Sequence, residues 1–313
     1  MTGPVLVTGA SGFVGGHLIE TLRGTHEVVG WARSEPPAVL AGTRWQRIDL
    51  QDRDAVHRAL RELRPHRVYH LAGATQVDRS WSSPAEPLAV NVLATHHLLD
   101  GLRRSGHRCR VLVTGSATVY APSLTPISES STLTPDSPYA VSKLAQEMLC
   151  GRCVIEDGCD VVLTRSFNHT GARQSPSFLA PSVARQIALI ERGEQEPVIR
   201  VGNLEPRRDL SDVRDVVRAY VELMERGVSG ETYNVASGVA RPVREVVDAL
   251  VASARVPVRI EVDPSRVRPV DNPVLTGDAS KLRSLTGWVP EIPFDQMIGD
   301  LLDYWRTACR PGL

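Results

Sequence analysis

The 313-residue chain carries 36 Lys+Arg against 36 Asp+Glu, which gives zero formal charge at neutral pH and an isoelectric point near 7.1. That balance excludes the basic footprint of a nucleic-acid binder or of a protein held on an anionic membrane, so any anion site must be built from arginines placed locally. No apolar run reaches the ~18 residues of a membrane span.

The first strand, Pro4–Thr8, begins early enough that no signal peptide is expected. It runs into G-A-S-G-F-V-G, with Gly9, Gly12 and Gly15, and a helical pattern to Leu22. Glycines between a first strand and a first helix let backbone N–H groups approach a pyrophosphate at the positive end of the helix. The second strand, Glu27–Trp31, should end on Asp or Glu if a ribose 2′-hydroxyl is to be held. It ends instead on Ala32, Arg33 and Ser34. A guanidinium suits a 2′-phosphate, so NADP(H) is preferred, with NAD(H) left open.

Strand three (Trp45–Ile48) ends at Asp49-Leu50, and Gln51-Asp52 caps a helix to about Leu63. Strand four (Val68–Leu71) opens into A-G-A-T-Q-V-D-R-S-W, and a helix containing Asn91 follows from Pro84 to Arg104. Strand five (Arg110–Thr114) ends in G-S-A-T-V-Y, which places Ser116 beyond its carboxyl end. S-P-Y-A-V-S-K then opens a helix with Tyr139 and Lys143 four residues apart, on one face. A nearby ammonium is expected to lower the phenol from its ordinary value near 10. Strand six is Asp160–Arg165. Strands alternating with helices predict an α/β, Rossmann-type doubly wound parallel sheet whose ligands bind outside the strand carboxyl ends.

Beyond Arg165 the expected elements are a helix over Phe178–Gly193, a strand over Pro197–Gly202, and N-L-E-P-R-R-D-L-S-D leading Arg207 and Arg208 into a helix capped by Asp212. A strand at Glu231–Ala236 follows, then Val243–Ala254, Arg259–Val262, Ser280–Leu285 and Phe294–Thr307. Residues 1–166 are read as the dinucleotide-binding domain, with 210–237 returning to it. Residues 167–209 and 238–313 form a smaller C-terminal α/β substrate domain. Five cysteines, an odd number, predict reduced thiols and a cytoplasmic setting. Cys150 and Cys153 read as helix packing, and no metal site is expected.

In order and spacing, G-A-S-G-F-V-G, H-L-A-G, Asn91, G-S-A-T-V-Y, Y-A-V-S-K and R-S-F-N-H resemble the extended short-chain dehydrogenase/reductases that modify nucleotide sugars. The second half, with G-N-L-E-P-R-R-D and R-P-V-D-N-P, is similar to GDP-4-keto-6-deoxy-mannose reductases. The resemblance implies Tyr139 as proton donor, Lys143 on the nicotinamide ribose and Ser116 on the same substrate oxygen. It implies Gly9, Ser11, Gly12, Phe13, Val14 and Gly15 around the pyrophosphate, Asp49 and Leu50 at the adenine, and Leu71, Ala72 and Gly73 behind the cofactor. Asn168, Arg208, Arg268 and Asp271 would hold the nucleotide-sugar; the arginines also fit ion pairs with nearby carboxylates. Helices near 86–104 and 138–155 correspond to a homodimer interface.

Related dehydratases carry Glu two residues past the serine, and the epimerase-reductases a Cys; here that residue is Thr118. Reduction of the C4 ketone of a GDP-linked 4-keto-6-deoxyhexose by NADPH, giving GDP-D-rhamnose, is therefore the expected reaction. A nucleotide-sugar 4-epimerase, which S-A-T-V-Y also matches, and a catalytically silent NADP-binding scaffold or sensor are the alternatives.

Overall fold

The computed structural model of the chain describes residues 3–266 and 272–310. Arg268 and Asp271 therefore lie outside the described residues. The strands in chain order are β1 (Val5–Thr8), β2 (Val28–Ala32), β3 (Arg44–Arg47), β4 (Arg67–His70), β5 (Arg110–Ser116), β6 (Asp160–Ser166) and β7 (Asn168–Thr170). They continue with β8 (Val198–Val201), β9 (Arg207–Asp212), β10 (Thr232–Val235), β11 (Ala240–Pro242), β12 (Arg259–Val262) and β13 (Val274–Leu275).

Seven strands form one parallel sheet in the order β10-β6-β5-β4-β1-β2-β3. Strands of such a sheet are covered on both faces and read as unbroken apolar runs. V-L-V-T of β1 and V-V-G-W-A of β2 are buried throughout. Alternation then splits β1 between two cores: Val5 and Val7 pack with Leu18, Tyr220 and Leu223, while Leu6 packs with Leu60, Leu98 and Cys150 on the opposite face. Strand order reverses between β1 and β4, which makes the crevice above that pair the place for a ligand.

The second half has its own core, where helices Leu179–Glu191, Val243–Ala252 and Phe294–Ala308 pack around β8 and β12. β9 pairs with β7, β11 and β13. The expected passage of Arg207 and Arg208 straight into a helix is corrected here: R-R-D-L-S-D is a strand, and the helix begins at Val213 with Asp212 as its cap. Asp209 holds β9 in place by accepting from Ser237 N and Oγ at 2.8 and 2.6 Å, Gly238 N at 2.9 Å and Gly277 N at 3.1 Å.

Two further expectations change. The helix from 85 to 104 contains a wider π stretch over Leu88–Leu93, a local irregularity common at functional positions. It carries Asn91, whose Oδ1 accepts from Ala74 N at 2.9 Å and whose Nδ2 donates to Ser142 Oγ at 2.8 Å. The reduced-thiol expectation fails for one pair, because Cys153 and Cys159 are joined. Gly158, in the left-handed region at φ 65°, ends the Tyr139 helix and folds the chain back so that Cys159 N bonds Cys153 O. Cys109, Cys150 and Cys309 are free thiols.

Candidate active site

A cleft of about 1990 Å³ runs across the carboxyl ends of β1, β2, β4, β5 and β6 and along the second half of the chain. Small-molecule sites measure roughly 300–1,000 Å³, so this one has room for two nucleotide-sized ligands. Its walls bring together every expected site residue within the described part: the glycine turn, Arg33, Asp49, Leu50, Leu71 to Gly73, Ser116, Tyr139, Lys143, Asn168 and Arg208.

The glycine turn is shaped first by its own backbone. Gly9 has φ 67°, and a Cβ there would stand 2.7 Å from Ala72 N; one on Gly15 would stand 2.3 Å from Gly9 O. Gly12 caps the helix Phe13–Leu22 without a side chain, and no acidic residue lies in its first turn. The positive helix end is thus left for an anion. Arg33 is exposed on the cleft wall, and among the described residues nothing pairs with its guanidinium. Trp45 Nε1 donates to Ser34 O at 2.9 Å and steadies the loop that carries it. The Asp49 carboxylate accepts from Gln51 N at 3.0 Å, and the Leu50 carbonyl accepts from His97 Nδ1 at 2.9 Å. These features fit a phosphorylated dinucleotide lying across the sheet.

Tyr139 and Lys143 stand on the buried face of the helix Pro138–Asp157, which Ser137 caps by accepting from Ala140 N. Both side chains are over nine-tenths covered. The expected lowering of the Tyr139 phenol is overturned: burial pushes it above its ordinary value of 10, and only the Ser116 hydroxyl, hydrogen-bonded to it, pulls the other way. Lys143 does not act on it because its ammonium is held elsewhere, donating to Thr114 O at 2.8 Å and Gln146 Oε1 at 3.0 Å. Burial also lowers Lys143 from 10.5 to about 8. Two of its three protons are spent inside the protein, and one is left for the cleft. Ser116 has a structural duty too, accepting from Thr118 N at 3.3 Å, with Thr118 Oγ1 3.0 Å from its Oγ.

On the far side, Asn168 begins β7 with its side chain exposed to the cleft. Arg208 reaches Asn272 O at 2.7 Å. His169 is a loop support: its Nδ1–H donates to Phe167 O at 3.0 Å, its ring stacks on Phe13, and burial lowers its pKa. Gln146 is the site residue that motif reading missed. Its place three residues after Lys143 on one helix face was the available signal.

The family model described as GDP-mannose 4,6 dehydratase matches residues 6–301. GDP-6-deoxy-D-mannose reductase of Pseudomonas aeruginosa is 38% identical over 313 residues, which cover 99% of each chain. UDP-glucose 4-epimerase of Mycolicibacterium smegmatis is 29% identical, covering 96% of this chain and 98% of its own. Among solved structures, RMD from Pseudomonas aeruginosa complexed with NADPH matches with a TM-score of 0.87 and 36% identity, over 98% of this chain and 100% of that one. UDP-glucose 4-epimerase of Thermus thermophilus in complex with NAD matches with a TM-score of 0.86 and 28% identity, over 97% and 99%.

Proposed function

The chain belongs to the GDP-mannose 4,6 dehydratase family, within the extended short-chain dehydrogenase/reductases, and on that premise we propose that it reduces the C4 ketone of GDP-4-keto-6-deoxy-D-mannose to give GDP-D-rhamnose, with NADPH as reductant. The observation that carries this reading is the placement of Tyr139 beside Ser116 and Lys143 in a cleft whose glycine turn is flanked by Arg33. NADP(H) is favoured because Arg33 stands where a carboxylate would hold a 2′-hydroxyl, and RMD was solved with NADPH.

When bound, the dinucleotide supplies the hydride. The chain supplies the proton and the electrostatics. Reduction of a ketone calls for an acid, and a phenol held above pKa 10 is fully protonated at neutral pH. Tyr139 gives that proton to the C4 oxygen while the Ser116 hydroxyl donates to the same atom, so developing negative charge meets two preset donors. The remaining proton of Lys143, whose Nζ lies close to Gly73, would be available to the nicotinamide ribose. The turn from Gly9 to Gly15 takes the pyrophosphate, Asp49 and Leu50 the adenine, and Leu71 to Gly73 the cofactor's back. Asn168 and Arg208 would hold the nucleotide-sugar, a role that the resemblance also gives to Arg268 and Asp271.

Elimination of water needs a base beside the sugar ring. Thr118 cannot serve, and the cleft's described carboxylates are Asp49, at the adenine end, and Asp136, exposed before the Tyr139 helix. Epimerisation starts from an oxidised dinucleotide, whereas Ala32 and Arg33 at the end of the second strand favour NADPH as the bound reductant. We also propose a homodimer. Val141, Met148 and Ile155, seven residues apart on the Tyr139 helix, are 45%, 68% and 85% exposed and form an apolar seam.

The test is incubation of the purified protein with GDP-4-keto-6-deoxy-D-mannose and NADPH, followed by NMR of the product. GDP-D-rhamnose is the expected result. GDP-6-deoxytalose would overturn the stereochemical assignment, and dinucleotide binding without turnover would leave the silent sensor as the answer.

A further inference from the structure

Lys143 is a buried ammonium with no carboxylate partner among the described residues. Its acceptors are a carbonyl, Thr114 O, and an amide oxygen, Gln146 Oε1. An amide can turn end for end and present its NH₂ instead, which would repel the ammonium. What prevents this lies behind it. Gln146 Nε2 donates to Thr95 Oγ1 at 2.8 Å, and the single Thr95 proton is spent on Asn91 O at 2.5 Å. The Thr95 oxygen can therefore only accept from its third neighbour, His70 Nε2, at 2.8 Å.

That requirement fixes the histidine tautomer. Nε2 carries the proton and Nδ1 accepts, so Thr8 Oγ1 donates to Nδ1 at 2.8 Å while accepting from Ala72 N at 3.3 Å. Every donor and acceptor in the series agrees in direction. His70, Asn91 and Thr95 are fully buried and Gln146 is 1% exposed. The low dielectric makes a reversed member costly.

We propose that Gln146 and Thr95 are positioning residues for Lys143: the Thr95 hydroxyl, anchored by neutral His70, locks the Gln146 amide so that its oxygen holds the ammonium in the cleft. This rests on the catalytic reading of Lys143 given above. The titratable groups facing the ammonium are His70 from β4 and Cys150 from its own helix; Thr114, Asn91 and Thr95 contribute no charge. Burial keeps His70 neutral, with its pKa near 3.

The chain contains two lysines, Lys143 and Lys281. Protein labelled at lysine Cε and Nζ thus gives two side-chain signals, and the Lys281→Arg variant assigns them. The expected titration of Lys143 moves up by about one pH unit or more in Gln146→Glu, where a carboxylate replaces the amide oxygen. It moves down in Gln146→Leu and in Thr95→Val, and returns to the wild-type value in Thr95→Ser. Residues that merely filled space would shift both Gln146 variants alike. Movement of Gln146→Glu and Gln146→Leu in one direction, or an unmoved Lys143 in folded Thr95→Val, overturns the proposal. If Gln146→Leu does not fold, Gln146→Glu and the Thr95 pair still decide it. The measurement is made without substrate, so failure of the keto-sugar assay would sink the proposed function and leave this result standing.

Discussion

In the proposed reaction Tyr139 would serve as the acid because burial keeps its phenol protonated. Replacing it by Phe removes the proton and leaves the cleft wall, so kcat should fall by about 10²–10⁴-fold while NADPH affinity holds. Single-turnover rates and a dinucleotide titration check both halves. At Lys143 the ammonium form predominates below its value of about 8 and is lost as pH rises through it. The alkaline limb of kcat/KM should therefore lie near pH 8 rather than near 10. Arg33→Ala should weaken NADPH by roughly 1.5–3 kcal/mol and leave NADH nearly unchanged; parallel losses would remove the 2′-phosphate argument. Spacing put Tyr139 and Lys143 on one helix face, and the strand-end position of Ser116 brought it to the same side of the sheet. Spacing could not supply the sign of the Tyr139 shift, which depends on how much water the fold leaves around the ring and on where the Lys143 side chain is tied.

Among the elements, the glycine turn and the central strands were legible because their determinants are local: unbroken apolar runs, and glycines between a strand and a helix. Gly15→Ala tests the turn. A methyl 2.3 Å from Gly9 O must push the helix off the strand, costing about 1–3 kcal/mol, and dinucleotide binding should be lost with it. β9 was illegible. R-R-D-L-S-D has the composition of a solvated loop and becomes a strand only because β7, β11 and β13 supply partners from distant sequence. Asp209 is the stitch that makes this work, so Asp209→Ala should destabilise the protein by about 3 kcal/mol by leaving the buried Gly277 N–H and the part-buried donors of Ser237 and Gly238 unpaired. Denaturant midpoints would show it. The polar series from Thr8 to Lys143 was hidden for the same reason, since residues 8, 70, 95 and 146 meet only after the sheet and its helices have assembled.

For the whole molecule, burial of a neutral histidine contributes to the acid side of stability. His70 has a folded-state pKa near 3 against an ordinary 6.5. As pH falls between these values the unfolded chain takes up a proton that the native chain refuses. The contribution is complete above 6.5 and declines by about 1.4 kcal/mol per pH unit below it, which melting curves from pH 7.5 to 5 would record. Met148→Asp with Ile155→Asp should give monomers in sedimentation, since both charges fall on the proposed seam. The scarcity of lysine has a practical outcome. Aside from the N-terminus, an acylating reagent finds two amines, one half-buried and salt-bridged to Glu231, the other lining the cleft and easily deprotonated at mild alkalinity. Chemical modification of a single side chain, counted by mass, thus becomes a direct gauge of whether the nucleotide seat is filled.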